Sequence, residues 1–264
     1  MSWAPVDGCA LVGMVHLRPL PGSPGWAGSL PEVLDAAARD AEALVASGCD
    51  AVLVENMGDV PYLRGEVPPW TVAAMALATE RVRRCVGDAV PVGVQVLAAA
   101  NREALGVAAV CGARFVRVEG FAWSHVADEG WIDACAGPLL RDRRALGAEV
   151  AVWADVKKKH AAHAVTGDVD LTDAAKGAAF CGADAVIVTG SATGAPTARQ
   201  DVVAARASGL PVAVGSGVTE ADAAALAEVA QALIVGSSLK VGGDWRNAVE
   251  PARVRALAAA LGRR

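Results

Sequence analysis

Aromatic residues are scarce in this sequence, at 4% of 264 residues against 54% hydrophobic residues in all. The core must therefore be built from Ala, Val and Leu, which suits helices packed closely around a parallel sheet whose buried strands read as continuous apolar runs. Long uncharged apolar stretches are missing too, which argues against a membrane-spanning helix. There is no long basic run, and a net charge of −5 with a pI near 5.4 speaks against nucleic-acid or membrane-surface partners. The opening MSWAPVDG lacks a charged stretch followed by an apolar one, so no signal peptide is expected and a cytoplasmic location follows. The cysteines Cys9, Cys49, Cys85, Cys111, Cys135 and Cys181 include no CxxC pair. Three of them, Cys49, Cys111 and Cys181, sit beside glycine just before apolar runs, where a small buried thiol packs well, so burial is expected rather than metal binding.

Apolar runs recur with regular spacing. Strands are predicted at Ala10–His16, Ala51–Glu55, Val92–Leu97, Phe115–Glu119, Val150–Asp155 and Ala185–Val188, with two more in the runs PVAV at Pro211 and ALIV at Ala232. Between them lie helical patterns: from Leu30, Pro69–Val86, from Asn101, Trp131–Leu146, Leu171–Phe180, Ala198–Ala207, one capped by Thr219, and Trp245–Leu261. SGCDAVLV, CGARFVRV and CGADAVIV repeat at every second strand. Strands alternating with helices over a length of ~250 residues predict an α/β fold, a (β/α)8 TIM barrel. One domain over residues 1–264 is expected, since composition does not break along the chain. An open doubly wound sheet is the competing architecture, but the GxGxxG that would follow its first strand is absent.

The stretches PVAVGSGVT and ALIVGSSLK each end a β-branched run in small residues before a helix-compatible segment. Gly and Ser there let backbone N–H groups approach an anion at the positive end of the next helix. Two such turns in succession match the phosphate site after strands seven and eight of a barrel. Ser191, Gly215, Ser216, Gly217, Gly236, Ser237 and Ser238 are the candidate phosphate-binding residues.

Side chains at the strand ends should line the site. They include His16, Glu55 with Asp59 just beyond it, Gln95, Glu119, and Asp155 followed by Lys157, Lys158, Lys159 and His160. The carboxylates of Glu55, Glu119 and Asp155 could hold a divalent cation such as magnesium, or serve as acid and base with pKa values pushed apart. Pairing of Glu55 and Glu119 with nearby arginines such as Arg117 or Arg114 is the plain alternative. Glu119 and Asp155 on neighbouring strands are expected to repel one another unless a metal or a lysine, with Lys157 the candidate, neutralises one of them. At least two of the three lysines are expected in a solvated loop, and His125 and His163 are expected at the surface.

Gly13-Met14-Val15-His16-Leu17 with Pro19-Leu20-Pro21-Gly22-Ser23-Pro24, and Val54-Glu55-Asn56 with Gly58-Asp59-Val60-Pro61, resemble the opening motifs of the BtpA family. The likeness continues through Ala154-Asp155-Val156, Lys159-His160-Ala161, Thr189 to Gly194, Val214 to Val218 and Ile234 to Lys240. The resemblance implies a TIM barrel related to phosphate-binding barrels, in a family that includes a photosystem I biogenesis factor and proteins encoded beside sugar-uptake genes. The chain departs from the family at three strand ends. Strand three of the family ends like N-V-L-R-N-D and here reads Gln95-Val96-Leu97-Ala98-Ala99-Ala100. Strand four there ends R-V-N and here reads Arg117-Val118-Glu119. After the strand-five Asp the family favours H-V-K-H, and here stand Lys157-Lys158-Lys159-His160.

The functional expectation is an enzyme for a phosphorylated sugar or sugar-nucleotide-like substrate. Its phosphate would sit on the last two turns, with Glu55, Glu119 and Asp155 as acid/base or metal-holding groups and Lys159 and His160 stabilising developing negative charge. Glycosyl transfer or cleavage at the anomeric carbon leads, ahead of aldol or lyase chemistry and isomerisation, because carboxylates suit an oxocarbenium-like centre. A non-catalytic assembly factor is the alternative. A small phosphorylated substrate is the expected partner, and a homo-oligomer is left open.

Overall fold

The computed structural model describes residues 8–190 and 197–263. Eight parallel strands close into a barrel: β1 Ala10–His16, β2 Ala51–Glu55, β3 Val92–Gln95, β4 Phe115–Val118, β5 Ala151–Val156, β6 Ala185–Val188, β7 Val212–Val214 and β8 Ala232–Val235. Each strand pairs with the next in sequence, and β8 returns to β1 through the register Ala10↔Ala232 to Gly13↔Val235. The helices on the outside are α1 Leu30–Ala46, α2 Pro69–Val86, α3 Asn101–Cys111, α4 Ala136–Ala145, α5 Leu171–Phe180, α6 Arg199–Ala205, α7 Glu220–Ala227 and α8 Pro251–Ala260. Among the described residues no helix is long and apolar enough to cross a membrane.

Local chemistry sets the boundaries. Asp170 caps α5 by accepting from the Asp173 N–H at 2.8 Å. At α7, Thr219 and Asp222 form a reciprocal capping box, with the Thr219 N–H donating to Asp222 Oδ1 at 2.7 Å. Strand β3 stops at Gln95, two residues short of the sequence expectation, and beyond it the Leu97 N–H donates to the side chain of Asn56 at 2.7 Å instead of to a neighbouring strand. Two helices are shorter than the sequence predicts. Trp131 lies not in a helix but in a short strand, Gly130–Ile132, paired antiparallel with His125–Ala127, so α4 begins at Ala136. Trp245 likewise precedes the last helix: Gly242 and Gly243 turn with φ of 66° and 73°, Lys240 bridges Val249, and Pro251 starts α8.

Two apolar layers result. The larger lies between the barrel and its helices. The smaller fills the barrel with inward side chains, among them Met14, Leu53, Phe115, Trp153, Ile187, Ala213 and Ile234. Phe115 and Trp153 stack there with ring centroids 4.5 Å apart. Two aromatic rings suffice because Gly93 on β3 gives up its own side-chain space to the Phe115 ring.

Residues two apart on a strand share a face, so the next inward position after this core layer is fixed. Met14 leads to His16, Leu53 to Glu55, Gly93 to Gln95, Phe115 to Arg117, Trp153 to Asp155, Ile187 to Thr189, Ala213 to Gly215 and Ile234 to Gly236. An apolar plug is thus overlaid by a layer of polar and small residues at the C-terminal mouth. Over one side of that mouth, the strands His125–Ala127, Gly130–Ile132 and Ala161–Ala162 form a small antiparallel sheet that ties the loop after β4 to the loop after β5.

Because a Cβ at position 93 would enter the Phe115 ring, Gly93→Ala should lower unfolding free energy by about 1–3 kcal/mol, the usual cost of overpacking. Urea denaturation measures it, and an unchanged midpoint would show that the interior is looser than described.

Candidate functional site

The mouth opens into a cavity of about 500 Å³, lined on one side by Gly215, Ser216, Gly217, Gly236, Ser237 and Ser238 and on the other by Glu55, Gln95, Arg117, Glu119, Lys158 and Lys159. His16, Met57, Tyr62, Leu97, Asp128, Glu129, His160 and Arg253 complete much of the wall. A cavity of this size takes a small metabolite.

At its floor Arg117 and Asp155 form a bidentate pair, Nε to Oδ2 and Nη2 to Oδ1, both at 2.9 Å. The Asp155 side chain has no exposed area and that of Arg117 is 6% exposed. Burial works against the guanidinium charge and Asp155 more than restores it, so the Arg117 pKa rises further. The second charged pair stands beside it: Lys158 Nζ lies 3.1 Å from Glu119 Oε1, each side chain 8% exposed. Glu119 Oε2 also accepts from the Ala99 N–H at 3.0 Å, and Gln95 Nε2 donates to Oε1 at 3.5 Å.

Glu55 is different. No cationic side chain of the described residues pairs with it; its neighbour is His16, whose Nε2 is 3.5 Å from Glu55 Oε2. Burial drives the Glu55 carboxyl up to about 7, against the opposing pull of Arg117 and Lys159. The same burial, with Lys240 adding to it, drives His16 down to about 3. At neutral pH the contact therefore joins an uncharged imidazole to a carboxyl that holds its proton far more tightly than an exposed one. A group titrating near 7 is suited to take and give protons there.

Lys159 carries the remaining charge. Its N–H donates to Thr189 Oγ1 at 3.0 Å, and its ammonium pairs with no carboxylate among the described residues. Burial first, and Arg117 second, lower its pKa.

Most of the residues singled out in the sequence meet in this cavity: His16, Glu55, Gln95, Glu119, Lys159, His160, Gly215, Ser216, Gly217, Gly236, Ser237 and Ser238 all line it. Several expectations need correction. Asp59 faces away and braces a loop, accepting from the Leu20 N–H at 2.7 Å and from Asn56 Nδ2 at 3.0 Å. Lys157 sits in a left-handed turn with φ of 47° and lines a second, much smaller cavity instead. Asp155 and Glu119 do not confront one another as repelling carboxylates, since each has its own cation. No three of the described His, Cys, Asp and Glu residues gather closely enough to hold a metal ion. The Gly215 N–H is spent on the Val188 carbonyl at 2.8 Å and is not available to an anion. Ser216 is buried, its hydroxyl accepting from the Gly190 N–H at 2.8 Å. Ser191 lies outside the described residues. His125 is buried rather than exposed, its ring 5.6 Å from that of His163 and its pKa driven down to about 4 by burial and Lys158.

Sequence reasoning gave no chemical role to Arg117, Lys158 or Arg253, which line the cavity. Arg117 had a signal: a charge inside the otherwise apolar run FVRV, in phase with Phe115. Lys158 had none, because a run of three lysines looks solvated until the turn at Lys157 separates them.

The chain matches the BtpA family over residues 8–263. It is 45% identical over 247 residues to a Caenorhabditis elegans protein described as uncharacterized and mitochondrial, covering 92% of this chain and 89% of that one. It is 40% identical over 254 residues to the photosystem I biogenesis protein BtpA of Synechocystis, covering 95% and 87%. Among solved structures, thiamine phosphate pyrophosphorylase from Pyrococcus furiosus superposes with a TM-score of 0.59 at 14% identity, covering 96% of this chain and 95% of that one. 3-Hexulose-6-phosphate synthase superposes with a TM-score of 0.58 at 17% identity, covering 95% and 99%. At such identities the likeness is one of fold.

The bidentate pair makes a prediction opposite to the one that repelling carboxylates would make. Asp155→Asn leaves the Arg117 charge buried without its counterion, and unfolding free energy should fall by about 3–5 kcal/mol. Urea denaturation reads this directly, and an unchanged or raised stability would refute the pairing.

Proposed function

The chain is a member of the BtpA family, and we propose that it is a cytoplasmic enzyme acting on a phosphorylated sugar, moving protons at the carbon beside the substrate's carbonyl group. One observation carries this reading: a single cavity has small-residue turns on one side and, across from them, Glu55 beside His16 and Lys159, which pairs with no carboxylate among the described residues. The phosphate sits at Gly217 and at Gly236 to Ser238. There the 3-10 turn Ser237–Leu239 leaves its first N–H groups without helical partners, and Arg253 adds a cation at the rim. A Cβ at Gly236 would stand 2.8 Å from the His16 ring, so glycine keeps the two halves of the cavity close. The names of thiamine phosphate pyrophosphorylase and 3-hexulose-6-phosphate synthase speak of phosphorylated compounds and support the phosphate half of the proposal.

Charge decides between the reaction types. Cleavage at the anomeric carbon builds positive charge, and Arg117, Lys158 and Lys159 all face that region. Two of the three are matched by Asp155 and Glu119, and among the described residues no carboxylate pairs with Lys159. Removing a proton beside a carbonyl builds negative charge on the carbonyl oxygen, which a fixed ammonium stabilises. Aldol, lyase or isomerase chemistry therefore fits the mouth better than glycosyl transfer. Glu55 is the base, and neutral His16 holds its carboxyl in place.

A second reading, a non-catalytic assembly factor, is favoured by the name of the Synechocystis relative. Turnover separates the two. In deuterated water, a panel of phosphorylated ketoses and aldoses should lose proton signals beside the carbonyl in the presence of the protein, as followed by NMR. The rate should rise with pH through about 7, as Glu55 ionises. Glu55→Gln should cut it by at least ~10²-fold and remove the pH step. No exchange on any member of the panel would contradict the proposal.

A further inference from the structure

Two consecutive lysines enter the same cavity and are treated in opposite ways. Lys158 is buried against Glu119, with Nζ 3.1 Å from Oε1. Lys159 lines the cavity with no carboxylate of the described residues paired to it. Its backbone is held by Thr189 Oγ1 at 3.0 Å. The charges nearest it include Arg117, and burial together with that guanidinium disfavours its protonated form. Glu55 is close enough that each group shifts the titration of the other. An amine whose protonated form is disfavoured, a buried carboxyl and a small-residue turn thus share one cavity.

We infer that Lys159 is a nucleophile that forms an imine with the carbonyl carbon of the substrate, a step that rests on the phosphate reading above. The neutral amine is the reactive form, and desolvation beside another cation is how a lysine is brought to it. The Nζ lone pair attacks the carbonyl carbon, and the carbonyl oxygen takes the proton of the Glu55 carboxyl. The Glu55 carboxylate then removes one proton from the nitrogen and returns it to the new hydroxyl, which leaves as water with the C–O electron pair. Amine, carbonyl and carboxylic acid become iminium, water and carboxylate, so atoms and charge balance without any further reactant. The iminium withdraws electrons from the neighbouring carbon, and the Glu55 carboxylate is left in place to take that carbon's proton. Lys159 becomes a covalent electron sink instead of a point charge. Lys158 keeps the adjoining Glu119 neutralised and takes no part in the bond.

The probe that tests this is pyridoxal 5′-phosphate, an aldehyde carrying a phosphate, compared with pyridoxal, which lacks it. The native protein is treated with each at equimolar concentration, reduced with borohydride and mapped by peptide mass. The chain has only five lysines, Lys157, Lys158, Lys159, Lys176 and Lys240, so the adduct can be assigned. The expected result is an adduct on Lys159 with the phosphorylated aldehyde, suppressed by excess inorganic phosphate and lost in Lys159→Arg. The wild-type map needs no variant, so a poorly folding Lys159→Arg does not blunt the test. Label on Lys157 or Lys176 with Lys159 unmodified overturns the imine, whatever calorimetry shows of phosphate binding. Equal labelling of Lys159 by both aldehydes, insensitive to phosphate, upholds the nucleophile and instead overturns the phosphate reading.

Discussion

Arg117 and Asp155 grip one another through two parallel hydrogen bonds of 2.9 Å at the floor of the barrel mouth, and the character of the other groups follows from that grip. A guanidinium in this place is tolerable only with a counterion, because burying an unpaired charge is costly. Once paired, it stays charged, and its pull on its neighbours is offset in part by Asp155. It pulls the Glu55 pKa down against burial and pushes that of Lys159 down together with burial. Its Nη1 also reaches the Gly215 carbonyl at 3.4 Å, so the same side chain joins the acid/base half of the cavity to the small-residue half.

The three places where the chain leaves the pattern of its family come together in space. Glu119 stands where the family pattern has Asn, Lys158 where it has Val, and Gln95 ends the rewritten third strand. In the structure Lys158 pairs with Glu119 at 3.1 Å and Gln95 donates to the same carboxylate at 3.5 Å. An added carboxylate and an added ammonium thus neutralise one another, and the mouth is reshaped without gaining net charge. Lys159 and His160, which match the family pattern, remain at the cavity wall. The rewriting alters one wall of the cavity and leaves Glu55, Lys159 and His160 in place.

The barrel was legible in the sequence because parallel strands buried on both faces leave continuous apolar runs, and strands such as Ala10–His16 and Ala51–Glu55 begin and end where those runs do. The polar mouth was legible from the residues that end the runs. What period and propensity could not show was pairing across strands. Whether Asp155 repels Glu119 or holds Arg117 depends on side chains from neighbouring strands meeting in a closed ring, which no local pattern encodes. Trp131 and Trp245 were misread as helical for a similar reason: a cross-loop ladder and a glycine turn overrode the local propensity. Lys157 and Lys159 parted company through a left-handed turn at a residue that is not glycine, and the sequence carried no warning of it.

The central claim is that the small-residue turns and the Glu55–Lys159 pair serve two ends of one molecule. A crystal structure of the protein with a phosphorylated ketose tests this most directly. The account predicts phosphorus between the turns at Gly217 and Gly236–Ser238, with the carbonyl end of the sugar against Glu55 and Lys159. A phosphate bound instead at Lys158 or His160, with the turns empty and the sugar pointing out of the barrel, would contradict it.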